Sequence, residues 1–87
     1  MLITKYIIRK ASYFDGAKYL NGDVCYTYFV GQAGTPADGL VDMFDSRKKR
    51  AKRYASEAEA IVEMQRFKAE HNPVFFSFKV IPVRCRM

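Results

Sequence analysis

The sequence predicts an α+β domain, a small antiparallel β-sheet of three to four strands in the order β-β-(β)-α-β with one helix packed on one face. Three features of the chain point to it. Runs rich in β-branched and aromatic residues occupy 2–11, 23–32 and 74–83. The turn dipeptides Asp15-Gly16 and Asn21-Gly22 separate the first two runs, since Gly tolerates positive φ and Asn or Asp tolerates the left-handed region. One segment alone, from Ser56 to Pro73, carries helical periodicity with both a start and a stop signal. At 87 residues the chain is expected to be a single domain, 1–87, with one small core.

The first run, "LITKYIIRKA" (2–11), alternates apolar and charged residues and reads as a strand. Asn21-Gly22 is the expected hairpin turn before the second strand, "DVCYTYFVGQ" (23–32). Gly and Pro make "AGTPADG" (33–39) a loop. "LVDMFDS" (40–46) fits either a short strand or one helical turn capped by Asp38. "KRAKRYA" (49–55) alternates weakly, and its end reads as a short edge strand on which Lys and Arg discourage pairing.

Ser56 is a good N-cap, and Glu59 three residues later completes a capping box. Glu57 and Glu59 lie in the first turn, where the positive end of the helix dipole favours them. Ala60, Ile61, Met64 and Phe67 form an apolar stripe, with Glu59, Glu63, Arg66 and Glu70 expected on the opposite side. Pro73 disfavours helical geometry at Asn72 and ends the helix. In the last strand, "VFFSFKVIPV" (74–83), Phe76, Phe78 and Val80 share one face while Ser77, Lys79 and Ile81 share the other. Pro82 predicts an edge position or a bulge, and "RCRM" reads as a basic tail. The helix stripe is expected to cover Phe76, Phe78, Ile8 and Tyr28.

Fifteen Lys and Arg against nine Asp and Glu leave a net charge of +6. Such a balance favours nucleic acid, an anionic membrane or an acidic protein face, and argues against a DNA mimic. Cys25 and Cys85 are too few for a disulfide framework and are expected to be reduced, packed thiols. No apolar stretch approaches the length of a membrane span, so the chain reads as cytoplasmic, with no membrane partner.

Chemistry-bearing patterns are sparse, and the expectation is a non-enzyme without catalytic residue, metal or cofactor. His71, the only histidine, falls at the helix C-terminus, where it caps carbonyls or lies exposed. Asp15, Asp23, Asp38, Asp42 and Asp45 read as turn and cap residues. The basic run is the strongest feature. Arg47, Lys48, Lys49, Arg50, Lys52 and Arg53 either neutralise phosphates, dock an acidic protein face, or form a solvated loop. The tyrosines, Tyr6, Tyr13, Tyr19, Tyr26, Tyr28 and Tyr54, are the second feature. One helix covers one face of a sheet. The other face, expected to carry Cys25, Thr27 and Phe29 with Lys5, Ile7, Arg9 and Lys79, suits stacked bases or a protein interface equally, and ordinary core with an amphipathic rim is the plain alternative.

Three stretches carry a resemblance: "KYIIRK", "AKRYASEAEAIVEMQRF" and "FFSFKVIPV". The second fits a lead-in of the form A-x-x-F/Y-x-S-x-x-E-A through Ala51, Tyr54, Ser56, Glu59 and Ala60. Together they resemble small α+β accessory proteins of phages and prophages, the class that includes several anti-CRISPR proteins and inhibitors of host enzymes. The resemblance implies a non-catalytic inhibitor acting in the host cytoplasm on a host protein or ribonucleoprotein complex by steric occlusion. The surface expected to dock is the basic run with Tyr54, helped by Lys79, Arg84 and Arg86. The alternative is a small basic module that binds DNA or RNA directly. The chain itself is read as monomer or homodimer.

Overall fold

The computed structural model describes residues 2–13 and 24–86; Asp15-Gly16, Tyr19 and Asn21-Gly22 lie outside the described residues. The α+β architecture is as predicted. The elements are β1 (Leu2–Tyr13), β2 (Val24–Thr35), β3 (Gly39–Asp45), α1 (Glu57–Glu70) and β4 (Phe76–Arg86). The strands form one antiparallel sheet in the order β3-β2-β1-β4.

"LVDMFDS" resolves to the strand β3, and β2 runs on to Thr35, so the loop expected over 33–39 shrinks to a tight turn. Asp38 closes that turn. Its backbone N–H donates to Thr35 Oγ1, and Thr35 Oγ1 donates to its carboxylate, both at 3.1 Å. Gly34 and Gly39 take φ of 106° and 95° there, and a Cβ on Gly34 would collide with the Gly39 carbonyl oxygen. The "RCRM" stretch is not a free tail, because Arg84, Cys85 and Arg86 continue β4 opposite Thr4, Ile3 and Leu2. Pro82 sits on β4 as an edge strand, opposite Tyr6, with no break in register.

The end of the basic run is placed differently from expectation. The β1–β2 ladder holds from Tyr13–Val24 to Arg9–Tyr28. Beyond it β2 carries a bulge: Phe29 faces Phe44, yet Gly31, at φ 137°, faces Met43. A bulge bends its strand, and residues 51–54 lie in the fork. The Lys52 N–H donates to the Phe29 carbonyl at 2.8 Å, and Tyr54 and Tyr6 exchange two backbone bonds at 2.7 and 3.0 Å. The segment is therefore an inserted bridge inside the sheet rather than an edge strand.

Ser56 caps α1 as predicted, its Oγ accepting from the Glu59 N–H at 3.2 Å. His71 Nδ1 lies 2.8 Å from the Phe67 carbonyl and caps the other end. The stripe points at the sheet. Phe67 is fully buried, with ring centroids 4.8 Å from Phe29, 5.3 Å from Phe44 and 5.6 Å from Phe78. Ile8, Tyr54 and Ala60 complete the buried cluster, with Tyr6, Met64, Phe76 and Val80 packed around it.

This packing fixes the two faces. Ile8 and Phe78 lie under the helix as expected. The β2 residues are offset by one. Lys10 faces Thr27 and Ser12 faces Cys25, so Cys25, Thr27 and Phe29 belong to the helix face and Tyr28 does not. A one-residue slip in register exchanges the faces of a whole strand.

One flank of the helix also departs from expectation. Arg66 turns back to β3, where Nη1 and Nη2 grip the Asp42 carboxylate at 2.9 and 2.8 Å. Glu63 and Glu70 complete the grip, at 2.9 and 3.3 Å from the same guanidinium, and Gln32 donates to Asp42 at 3.1 Å. The Arg66 hydrogen bonds hold the Asp42 carboxyl below the usual carboxylate range. Asp42 is therefore not the turn or cap residue that its type predicts but the tie between β3 and the helix.

Phe67→Ala is expected to lower the unfolding free energy by about 3–5 kcal/mol in chemical denaturation, as for a large aromatic deleted from a core; a loss below about 1 kcal/mol contradicts this packing. Because the Asp42 pKa is depressed on folding, its contribution is present above the ordinary carboxylate value and lost as pH falls through the lowered one. With Arg66 partly exposed, that contribution is expected to be about 1–2 kcal/mol. In acid titrations of stability Asp42→Asn should sit lower by this amount at neutral pH and converge on wild type as pH drops below about 4; parallel curves down to the acid limit refute the linkage.

Candidate functional site

Register places the helix-free face of the sheet. Asp45 faces Tyr28, Tyr28 faces Arg9 and Arg9 faces Lys79, so one row crosses all four strands. Strands lie about 4.8 Å apart, so the row spans about 14 Å. The next row holds Tyr26, Ala11 and Ser77, and the one after it pairs Val24 with Tyr13. Tyr26 is exposed, and the Arg9 guanidinium lies 4.5 Å from its ring centroid, a cation–π distance. Tyr13 Oη is 2.9 Å from Ser77 Oγ, which fixes that ring at the β1–β4 junction. Lys5 shares the face through its pairing with Val83. The centre of this face is not exposed: Ile7 and Ala11, which register places on it, are buried.

The basic run meets this face at one corner. β3 ends at Asp45, and a short 3₁₀ turn, Lys48–Arg50, follows. Asp45 anchors the turn. Its Oδ1 accepts from the Arg47 N–H at 2.7 Å and from Arg47 Nε at 3.2 Å, and Oδ2 lies 3.7 Å from Arg50 Nη1. The Arg47 backbone N–H, followed by its side chain, holds the Asp45 carboxyl below its ordinary value. Lys48, Lys49 and Arg53 enter no ion pair among the described residues. Lys52 lies over the Tyr54 ring at 5.1 Å.

Of the ten residues expected to dock a partner, Arg47, Lys48, Lys49, Arg50, Lys52, Arg53, Lys79, Arg84 and Arg86 are exposed. Tyr54 is not. It is 8% exposed, belongs to the core, and burial pushes its phenol pKa up to about 12. The other nine do not form one patch. Lys79 is in the open-face row, whereas Arg84 and Arg86, opposite Thr4 and Leu2, belong to the helix side of the sheet. Tyr26 and Tyr28 lie on this face although Tyr28 is expected under the helix: the alternation of "VCYTYF" gives two sets of side chains and leaves open which set the helix takes.

Both cysteines are free. They lie on β2 and β4, which β1 separates, and Cys25 is exposed rather than packed. A cleft of about 280 Å³ opens between the helix C-terminus and β4, lined by Lys68, His71, Pro73, Phe76, Ser77 and Phe78. No group of three or more His, Cys, Asp or Glu gathers as a metal-ligand set among the described residues, and no helix among them is long and apolar enough to cross a membrane.

The Tyr54 hydroxyl is buried with no hydrogen-bond partner among the described residues. Tyr54→Phe is therefore expected to leave stability unchanged or raise it by up to about 1 kcal/mol in thermal or chemical denaturation, because it removes an uncompensated polar group; a loss above about 1 kcal/mol shows that the hydroxyl is satisfied. Comparison with protein-family models, curated proteins and solved structures finds no match to this chain.

Proposed function

We propose that this chain is a non-catalytic inhibitor, phage- or mobile-element-encoded and anti-CRISPR-like, that binds a host nucleic-acid-processing complex in the host cytoplasm and blocks it sterically. The observation that carries the proposal is the junction of the basic turn with the row of polar and aromatic residues on the sheet face away from α1. Asp45 roots Arg47 and Arg50 at the end of the row that continues through Tyr28, Arg9 and Lys79. Opposite charge on the target speeds encounter, and tyrosine with arginine supplies the anchoring area. Occlusion of this kind needs surface and no reactive group.

The exposed Tyr26 ring beside Arg9 also favours the alternative, a small basic module that binds DNA or RNA directly, because bases stack on such rings while cations hold the phosphates.

The test compares wild type with a variant carrying Arg47→Glu, Lys49→Glu, Arg50→Glu and Arg53→Glu. In a plaquing assay under host interference, wild type is expected to restore phage growth, and the variant to lose most of that effect while its circular dichroism stays native. No restoration by wild type, together with nothing captured from host lysate, removes the inhibitor proposal. Fluorescence anisotropy with single-stranded and duplex DNA and RNA separates the alternative. Direct phosphate binding through the run falls about a thousandfold between low and physiological salt and vanishes in the variant; flat or absent binding excludes it.

A further inference from the structure

The two edges of the sheet are unlike. β4 carries Lys79, Pro82, Arg84 and Arg86. Charge and proline on an edge strand discourage another strand from pairing there. β3, Gly39–Asp45, carries no Lys, Arg or Pro. Its exposed side chains are apolar: Leu40 is 51% exposed, Val41 61% and Met43 44%. Its two carboxylates are engaged within the chain, Asp42 by Arg66 and Gln32, and Asp45 by Arg47 and Arg50. Among the described residues β3 pairs on one side only, with β2. An apolar edge without Lys, Arg or Pro is a template for a further strand.

We propose that the β3 edge pairs with β3 of a second copy of this chain, antiparallel across a two-fold axis, joining two four-stranded sheets into one. Self-complementarity selects this occupant. With the axis at Asp42, Val41 of each copy faces Met43 of the other on the open face, and Leu40 faces Phe44 on the helix face. Asp42 meets its twin, each carboxylate already held by its own Arg66 at 2.8 Å. The +6 charge does not oppose this geometry strongly. Antiparallel pairing sends the two basic turns to opposite ends, about 34 Å apart at about 3.4 Å per residue, well beyond the Debye length of about 8 Å. Each Arg47 falls instead beside the Asp38 turn of the partner copy. The rows that carry Tyr28, Arg9 and Lys79 in the two copies then lie on one side of a single sheet. The pairing rests on the strand edge alone and holds whatever target the face recognises.

Sedimentation velocity over a concentration series from about 1 µM to about 1 mM tests it on wild type, Val41→Lys, Met43→Lys and Val62→Lys. Val62 lies on the helix and is 69% exposed, so its variant controls for surface charge. Wild type and Val62→Lys are expected to pass from monomer to dimer as concentration rises. Val41→Lys and Met43→Lys are expected to raise the dissociation constant at least about tenfold, the effect of a like-charge gatekeeper on each copy. Hydrogen exchange supplies a second readout: protection of the β3 amides in wild type should rise with concentration while β4 amides stay unchanged. A wild type that stays monomeric throughout overturns the proposal and leaves the edge to a strand from another protein. A dimer that survives both β3 substitutions, or protection that appears at β4, overturns it equally.

Discussion

Phe67 packs one aromatic ring from the helix against Phe29, Phe44 and Phe78, one from each of three strands, and most of the molecule follows from that contact. A single helix can bury only one face of a four-stranded sheet. Once Phe67 claims the face of Phe29, alternation sends Tyr26 and Tyr28 to the other side with Arg9 and Lys79. The face away from α1 is thus the remainder left by core packing. Its tyrosines need no contact with the helix to be placed, because the β1–β2 register places them.

The same packing explains why the basic run is divided. The bulge after Phe29 bends β2 from β1, and residues 51–54 bond to both strands in the gap. The last residue of that bridge, Tyr54, gives its ring to the core, and burial without a partner raises its phenol pKa. The first part of the run, fastened by Asp45, stays in solvent as a 3₁₀ turn. A stretch that is uniformly cationic in the sequence therefore serves two purposes: its C-terminal end completes the sheet, and its N-terminal end presents charge. Asp42 and Arg66 act at the middle of β3, tying the hairpin to the helix so that it does not depend on apolar contacts alone.

A sheet with one face under the helix, a polar and aromatic row on the other and a cationic corner has features suited to recognition by surface. Its positive charge extends attraction beyond contact distance, and the ordered tyrosines add area at low entropic cost because they are already held by strand geometry.

Much of this was determined by local chemistry that the chain carries in order. The Ser56 cap, the stripe from Ala60 to Phe67 and the stop at Pro73 need only neighbours a few residues away, and the helix formed where they place it. The end strands also followed from their β-branched and aromatic alternation, and of the edge or bulge that Pro82 predicts, β4 is the edge. What the tertiary structure decided is parity and long-range bonding. Alternation in 23–32 defines two sets of side chains with equal clarity and contains nothing to say which set meets the helix; only the pairing of Lys10 with Thr27 chose Cys25, Thr27 and Phe29 for the core side. Tyr54 and Arg66 looked like surface residues because their partners, Tyr6 and Asp42, lie 48 and 24 positions away in the chain. Periodicity reports local geometry, whereas hydrogen bonds across such separations exist only after the chain has closed on itself.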